Sequence, residues 1–194
     1  MVDTIISRLS SAPWAAALIN DPSWTPAKTT SRLPKPSGED SFIAETLGTD
    51  RTIRTLLTLR PSTEEDGDFV YKKAATIVDL GDGLNGYPQI LHGGFVATLL
   101  DEVCGVLIVL NLERRSQRLR DLGHSNSDIE MGYFTAYLNT TYKKPIPAPG
   151  IIFCMTKIER EEGRKIYVRA TIEDGSGTVY TEGEAMFIRV KNKL

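Results

Sequence analysis

The chain has 194 residues, of which 23 are Lys or Arg and 25 are Asp or Glu, so its formal charge is −2; 41% of its residues are hydrophobic. This length suits one globular domain, with or without an extension, whose core is large enough to fold without disulfides or a metal. The balanced charge argues against nucleic acid as the main partner. Cys104 and Cys154 lie in apolar runs and are predicted to be buried thiols of a reducing compartment.

The start of the chain does not resemble a targeting segment. Asp3, Arg8 and Pro13 interrupt the apolar patch that a signal peptide would need. We therefore expect a cytoplasmic protein, with a mitochondrial location as the alternative.

Residues 1–50 are predicted to form an N-terminal extension. A short helix is expected over residues 13–19. Prolines and glycines interrupt residues 20–39 so often that an extended arm is expected there. Trp14 and Trp24 are predicted to anchor this arm against the body of the protein.

Residues 51–194 have the composition and the alternating pattern of a β-rich domain. Six segments are rich in β-branched and aromatic residues, often in alternation. These segments span residues 53–60, 69–80, 133–142, 151–159, 165–173 and 179–190. Glycine-containing turns at 161–164 and 174–177 predict that the last three segments form an antiparallel meander.

One long helix is predicted over residues 93–110, with a length of about 27 Å. It is apolar nearly all round, so other structure must wrap it on most sides. Asp101 and Glu102 near its middle argue against a membrane span. One helix set among runs of strands indicates an α+β fold, in which one curved antiparallel sheet encloses the helix.

The polar segment 113–132 is predicted to be a solvated loop or lid inserted into the domain. The alternative is a gate over a ligand mouth, in which arginines attract an anionic group. The arginines in question are Arg114, Arg115, Arg118 and Arg120. His124 is expected at the surface.

The residues that suggest chemistry surround the start of the helix. His92 precedes Gly93 and Gly94, and first-turn N–H groups lack intrahelical partners, so together with the helix dipole they suit a developing oxyanion. Asp101 is a carboxylate in an apolar helix, where burial is unfavourable unless the group is partnered or used. Glu102 is about 100° further round the helix and is expected to be a structural partner.

Gly94 and Asp101 share a helix face but lie about 10 Å apart along the axis, so one carbonyl group cannot touch both. Two such helices that run antiparallel across a twofold axis would bring Gly94 of one chain to Asp101 of the other. The spacing therefore predicts a homodimer with two composite sites.

Three segments carry a family resemblance: HGGFVATLLDEVCG, TAYLNTTYKKPIPAPG and EGRKIYVRATIEDGSGTVYTEGEAMFIRV. They resemble the hotdog-fold acyl-CoA thioesterases of the phenylacetic-acid-degradation type, over roughly residues 50–192. The arm is similar to extensions in fungal members. The resemblance implies a hotdog fold, dimers that often pair as tetramers, and hydrolysis of an acyl-CoA or acyl-carrier-protein thioester. It implies no cofactor beyond the coenzyme A of the substrate.

By position, the resemblance also implies roles. Asp101 matches the catalytic carboxylate, which acts as general base on water or as nucleophile. The N–H of Gly94, helped by Gly93, matches the oxyanion hole. His92 matches a histidine that polarises the carbonyl or orders the loop, and Thr135 matches a hydroxyl that positions the carboxylate or water.

Further residues are expected to bind the substrate. Basic residues on the rim are the candidates for holding coenzyme A: Lys143, Lys144, Arg164 and Lys165. Many relatives have Asn or Gln six residues before the motif histidine, where this chain has Gly86. Asn85 or Gln89 is expected to substitute, or the helper is absent and activity is lower.

Two alternatives stay open. Hotdog dehydratases and hydratases carry Asp-x-Asn-Pro-x-His or His-Phe-Pro motifs, and neither occurs in this sequence. A hotdog protein that binds an acyl or polyketide-like ligand, or a partner, without turnover is favoured by Gly86 and by the polar insertion. The intact His-Gly-Gly and Asp101 favour turnover. No metal is expected.

Overall fold

The structure is a computed structural model, which describes residues 2–123 and 132–190. Its helices are Val2–Leu9 (α1), Pro13–Asn20 (α2) and Gly93–Asp121 (α3). Its strands are Trp24–Ala27 (β1), Ile53–Pro61 (β2), Lys73–Leu80 (β3), Asn85–Tyr87 (β4), Ile90–Leu91 (β5), Gly132–Tyr142 (β6), Gly150–Glu162 (β7), Lys165–Glu173 (β8) and Val179–Val190 (β9).

Seven of these strands form one antiparallel sheet in the order β1-β2-β3-β7-β8-β9-β6. The predicted meander of the last three strands is confirmed. Along β8, Val168, Ala170 and Ile172 are buried whereas Arg169 is exposed, so one face of the strand is apolar and the other is wet. β1 and β6 are the two edges of the sheet.

The long helix α3 packs on one face of this sheet, which confirms the α+β prediction. Leu99, Leu100 and Leu107 are fully buried against the strands. α3 is long and apolar enough to cross a membrane, yet 61% of its most apolar window is buried within the protein, as in a core helix.

The prediction of a loop from residue 113 is wrong over 113–121, because α3 continues to Asp121. This polar stretch consists largely of Glu, Arg, Gln and Leu, which are good helix formers. Asn111 also ties the helix to the loop between β2 and β3. Its side-chain oxygen accepts from the N–H of Tyr71, and its side-chain nitrogen donates to the carbonyl of Tyr71. Residues 124–131, with His124, lie outside the described part of the chain.

Two of the arginines predicted to attract an external anion already have a partner. Arg114 and Arg118 both donate to Glu64 at 2.5 Å. Hydrogen bonds from these guanidinium groups lower the pKa of Glu64 from 4.5 to about 2. These two arginines therefore fasten the loop before β3 to α3, which argues against the alternative of an anion gate at Arg114 and Arg118.

The N-terminal extension is more structured than the expected arm. α1 and α2 cover the sheet face opposite α3, where Leu9 and Ala15 pack with alternate residues of β2 and β3. The predicted short helix is confirmed as α2, whereas α1 and β1 were not predicted. Trp14 contacts Phe153 edge to face at 6.0 Å, so its predicted anchoring role is confirmed.

The second tryptophan anchors the extension at the sheet edge. The ring of Trp24 lies 5.3 Å from the ammonium group of Lys73. Beyond β1 the extension continues onto α3, where the Ser31 hydroxyl donates to Glu102. Arg32 fixes this segment through hydrogen bonds to the carbonyls of Ile43 and Ile53.

Candidate active site

His92 begins α3 as its N-cap. Its Nδ1 accepts a hydrogen bond from the N–H of Gly94 at 3.0 Å. An accepting Nδ1 is unprotonated, so the ring carries its proton on Nε2. The structure therefore brings together His92 and Gly94, as predicted, and places an imidazole N–H donor next to the first helical turn.

Two glycines lie against this imidazole. A Cβ atom at Gly94 would lie 3.1 Å from Nδ1 of His92, and one at Gly86 would lie 3.0 Å from its Cα. Both distances are tighter than ordinary van der Waals contact. Gly86, which departs from the amide residue of many relatives, is therefore the residue that leaves room for His92 here.

The two predicted substitutes for that amide lie on either side of Gly86. Asn85 is half-buried in β4, and its Oδ1 is buried without a hydrogen-bond partner among the described residues. Gln89 is exposed in the β4–β5 turn with φ of 60°, and its carbonyl accepts from Ala148. A substrate-binding role for either side chain stays a prediction.

Asp101 is held by the edge strand β6. The hydroxyl of Thr135 donates to its Oδ1 at 2.8 Å. The pairing of β6 with β9 shifts register between Thr135 and Tyr137, and such an irregularity redirects side chains along a strand. The predicted proximity of Asp101 and Thr135 is confirmed, and the carboxylate stays half-exposed.

The adjacent carboxylate faces another part of the molecule. Glu102 lies under the extension and accepts from Ser31, which confirms its expected structural pairing. Burial raises the pKa of Glu102. Cys104 and Cys154 are buried free thiols, as predicted, and burial raises the pKa of both.

An apolar groove of about 570 Å³ begins beside Gly93. It is lined by Tyr87, Ile90, Leu91, Gly93, Val96, Tyr142, Lys143, Lys144, Pro145, Ile146 and Thr181. The Tyr142 hydroxyl donates to the carbonyl of Gly93 at 2.9 Å. The sequence analysis did not single out Tyr142, although this residue lies in the motif that begins at Thr135.

The four predicted coenzyme A ligands form two separate pairs within one chain. Lys143 and Lys144 follow the end of β6, and Lys143 is ion-paired with Glu182. Arg164 and Lys165 lie at the other end of the sheet. Thr181 pairs with Tyr142 and Ile188 pairs with Lys165, so the two ends are roughly 23 Å apart along β9.

Among residues 2–123 and 132–190, no group of three or more His, Cys, Asp or Glu side chains could hold a metal ion.

Sequence comparison finds relatives. Residues 88–181 match the model of a family described as the thioesterase superfamily. The mouse protein acyl-coenzyme A thioesterase THEM4 is 32% identical over 122 residues, which is 62% of this chain and 45% of that protein. The chain therefore spans less than half the length of this curated relative.

Solved structures are similar to this chain in fold. A thioesterase superfamily protein, RHA08564, has a TM-score of 0.51 and 25% identity, covering 69% of this chain and 53% of that one. The conserved protein PA5202 from Pseudomonas aeruginosa has a TM-score of 0.50 and 16% identity, covering 82% of this chain and 97% of that one. The latter likeness is one of fold alone.

Proposed function

We propose that this chain, which has a hotdog fold and matches the thioesterase superfamily model over residues 88–181, belongs to that superfamily and hydrolyses the thioester bond of an acyl-CoA or acyl-carrier-protein substrate. One observation carries the proposal. The 2.8 Å hydrogen bond from Thr135 holds the Asp101 carboxylate half-exposed at an open sheet edge, on the helix whose first turn contains Gly93 and Gly94.

The proposed active form is a homodimer joined through β6. This strand is a sheet edge, and it exposes 61% of Phe134 and 40% of Tyr137. Long, apolar edge strands of this kind pair with other chains unless they are covered. Antiparallel pairing of β6 with its copy would continue the sheet and set the two α3 helices antiparallel.

In this dimer the substrate carbonyl lies between Gly94 of one chain and Asp101 of the other. Asp101 takes a proton from water as the water oxygen bonds to the carbonyl carbon, and the carbonyl electron pair moves onto oxygen. The Gly94 N–H stabilises that oxyanion. Collapse of the intermediate breaks the C–S bond, and the thiolate takes the proton from Asp101. A thiol pKa near 8.5 means that the leaving group needs little acid assistance.

The alternative role for Asp101 is direct attack on the carbonyl carbon, which gives a mixed anhydride that water then hydrolyses. Both routes need the carboxylate form. The hydrogen bond from Thr135 stabilises that form and orients it in either case.

His92 supports the oxyanion site in this proposal. In the free protein its Nδ1 accepts the Gly94 N–H, so an incoming carbonyl oxygen must share or replace this hydrogen bond. The Nε2–H of the same ring is then available as a second donor to the oxygen. This arrangement supports both roles considered for the histidine, ordering the loop and polarising the carbonyl.

The groove beside Gly93 is the proposed path of the pantetheine arm. Its apolar lining suits a flexible chain, and Lys143 and Lys144 at its end suit phosphate groups. Antiparallel pairing of β6 would also bring Arg164 and Lys165 of the second copy to this end. Two basic pairs that are separate in one chain would then share one coenzyme A.

The proposal is tested by hydrolysis assays with short, long and aromatic acyl-CoAs. Asp101→Asn should lower kcat by at least about 10²-fold, since it removes the general base but keeps the size of the side chain. Asp121→Asn changes an exposed carboxylate on the same helix and should leave the rate unchanged. An Asp101→Asn enzyme as active as the wild type would rule out the proposed role.

A further inference from the structure

Tyr142 contacts the first turn of α3, although it is the last residue of β6. Its hydroxyl donates to the carbonyl oxygen of Gly93 at 2.9 Å, and a Cβ atom at Gly93 would lie 3.7 Å from its ring. The side chain is 55% exposed, so packing in the core does not explain its position. The hydroxyl and the ring of this tyrosine both lie against the glycine pair that starts the helix.

The carbonyl of Gly93 and the N–H of Gly94 belong to the same peptide group. A trans peptide group is planar, so the direction of its carbonyl determines the opposite direction of its N–H. Tyr142 holds this group at the oxygen, and Nδ1 of His92 holds it at the nitrogen. Such contacts matter at this position because the peptide group joins two glycines, whose backbone dihedrals are little restricted.

The two hydrogen bonds to this peptide group differ in what happens when substrate binds. In the proposed reaction the substrate oxygen shares or replaces the bond between His92 and the Gly94 N–H. The Tyr142 hydroxyl binds the other end of the peptide group, so its hydrogen bond persists while the oxyanion forms. A hydrogen bond to the carbonyl also polarises the peptide group and strengthens its N–H as a donor.

The register irregularity in β6 places Tyr142 on the face of the sheet that meets α3. From Thr135 to Tyr142 the strand advances seven residues, while its partner β9 advances six. Side chains alternate along a strand, so seven regular steps would put these two residues on opposite faces. Because the irregularity removes one step, both side chains reach α3, one at Asp101 and the other at Gly93.

We propose that Tyr142 is the positioning residue of the oxyanion site, because it orients the peptide group whose Gly94 N–H points at the substrate oxygen. This inference rests on the proposed thioesterase function, which assigns the oxyanion to that N–H. One strand then orients both reacting groups of its own chain, since Thr135 orients the carboxylate of Asp101. In the proposed dimer, each site takes the tyrosine hydroxyl from β6 of one chain and the threonine hydroxyl from β6 of the other.

The first experiment measures acyl-CoA hydrolysis by Tyr142→Phe in the whole chain. This variant keeps the ring in the groove and loses only the hydroxyl, so kcat should fall about tenfold while KM changes less than about twofold. Tyr142→Leu also removes the ring and should raise KM in addition. Tyr167→Phe, which loses a phenol hydroxyl from β8, is the matched control and should keep wild-type kinetics. An unchanged kcat in Tyr142→Phe would overturn the inference.

The second experiment asks whether Tyr142 acts through the Gly94 N–H. Gly94→Pro has no N–H to orient, so adding Tyr142→Phe should lower kcat no further, which is the signature of coupled residues in a double-mutant cycle. Gly94→Ala keeps the N–H, and there the same addition should still lower kcat about tenfold. A tyrosine that only supported the fold or the groove would lower kcat equally in both backgrounds, and that result would contradict the inference.

Binding of stable analogues separates this inference from the hydrolytic proposal and needs no proline variant. The trifluoroacetonyl thioether of coenzyme A hydrates to a tetrahedral centre like that of the reaction, whereas the propyl thioether has no oxygen at this position. Tyr142→Phe should weaken binding of the first analogue about tenfold and leave binding of the second unchanged. This result supports the inference even if the wild type hydrolyses no thioester and the hydrolytic proposal fails. Equal affinities of wild type and Tyr142→Phe for the trifluoroacetonyl analogue, beside hydrolysis by the wild type, would refute the inference and leave the thioesterase proposal standing.

Discussion

The neighbouring carboxylates Asp101 and Glu102 lie on two different sides of α3. Asp101 faces the open edge strand and is held by one threonine hydroxyl. Glu102 faces the extension, where burial raises its pKa. Because these adjacent side chains are about 100° apart around the helix, they have different surroundings. One helix thus carries the proposed interchain site on one side and an intrachain contact on the other.

The strongest test of the edge side is the backbone amide of Gly94. Gly94→Pro removes its N–H, and kcat should fall by about 10²- to 10³-fold, the usual effect of losing one oxyanion donor. Proline is tolerated in the first helical turn, so the helix should persist. Gly94→Ala keeps the N–H and adds only a Cβ atom close to His92, so it should lose much less activity. Equal losses in both variants would mean that the amide is not the relevant group.

The part of the extension that covers the opposite face of the sheet should respond through stability. Leu9→Ala removes a fully buried side chain from the cluster between α1 and the sheet, and it should lower the free energy of unfolding by about 3 kcal/mol. The kcat of the remaining folded enzyme should stay near the wild-type value. Denaturant unfolding and steady-state kinetics measure the two quantities. A large loss of kcat in fully folded Leu9→Ala would show that the extension is coupled to the proposed site at the sheet edge.

The hydroxyl of Thr135 gives a finer test of the edge side. Thr135→Val keeps the shape of the side chain but removes the donor to Asp101, and we expect kcat to fall about tenfold. Thr141→Val, on the same strand at an exposed position, is the matched control. Comparable losses from the two variants would assign the effect to β6 as a whole.

The smallest expected effect concerns Glu64, which holds the loop before β3 to the second half of α3. Its pKa of about 2 is below the ordinary 4.5, so its contribution to stability is present above pH 4.5 and is lost as the pH falls toward 2. Glu64→Gln should therefore destabilise the protein by about 1 kcal/mol or less at pH 7, because the pair is partly exposed. The difference should vanish near pH 2. Glu65→Gln is the control, and a difference that persists at pH 2 would contradict the assignment to charge.

Much of the fold could be predicted because its signals are local. Alternation placed β8 and β9 within their observed bounds, and the apolar run located the start of α3. By contrast, α1 has eight residues and is too short to be stable alone, so it depends on the sheet face that it covers. β1 contains Pro26, which a central strand would exclude but an edge strand accepts.

The candidate site was predictable where a motif spans it. Asp101 and Thr135 are 34 residues apart, and their proximity followed from the family resemblance rather than from helix or strand periodicity. The Ser31 contact with Glu102 and the Glu64 contact with Arg114 join segments that have no pattern in common. Such contacts depend on the path of the whole chain, which the sequence of either segment does not determine.

The short strand β1 has a further consequence for assembly. It occupies one border of the sheet over four residues and includes a proline, so this border offers little backbone for another chain to bond. The opposite border, β6, offers eleven residues. Such a sheet offers one edge at which another chain can pair. Two copies joined there, as proposed, would saturate each other, and growth through the sheet edge would stop at a closed pair instead of continuing into a fibre.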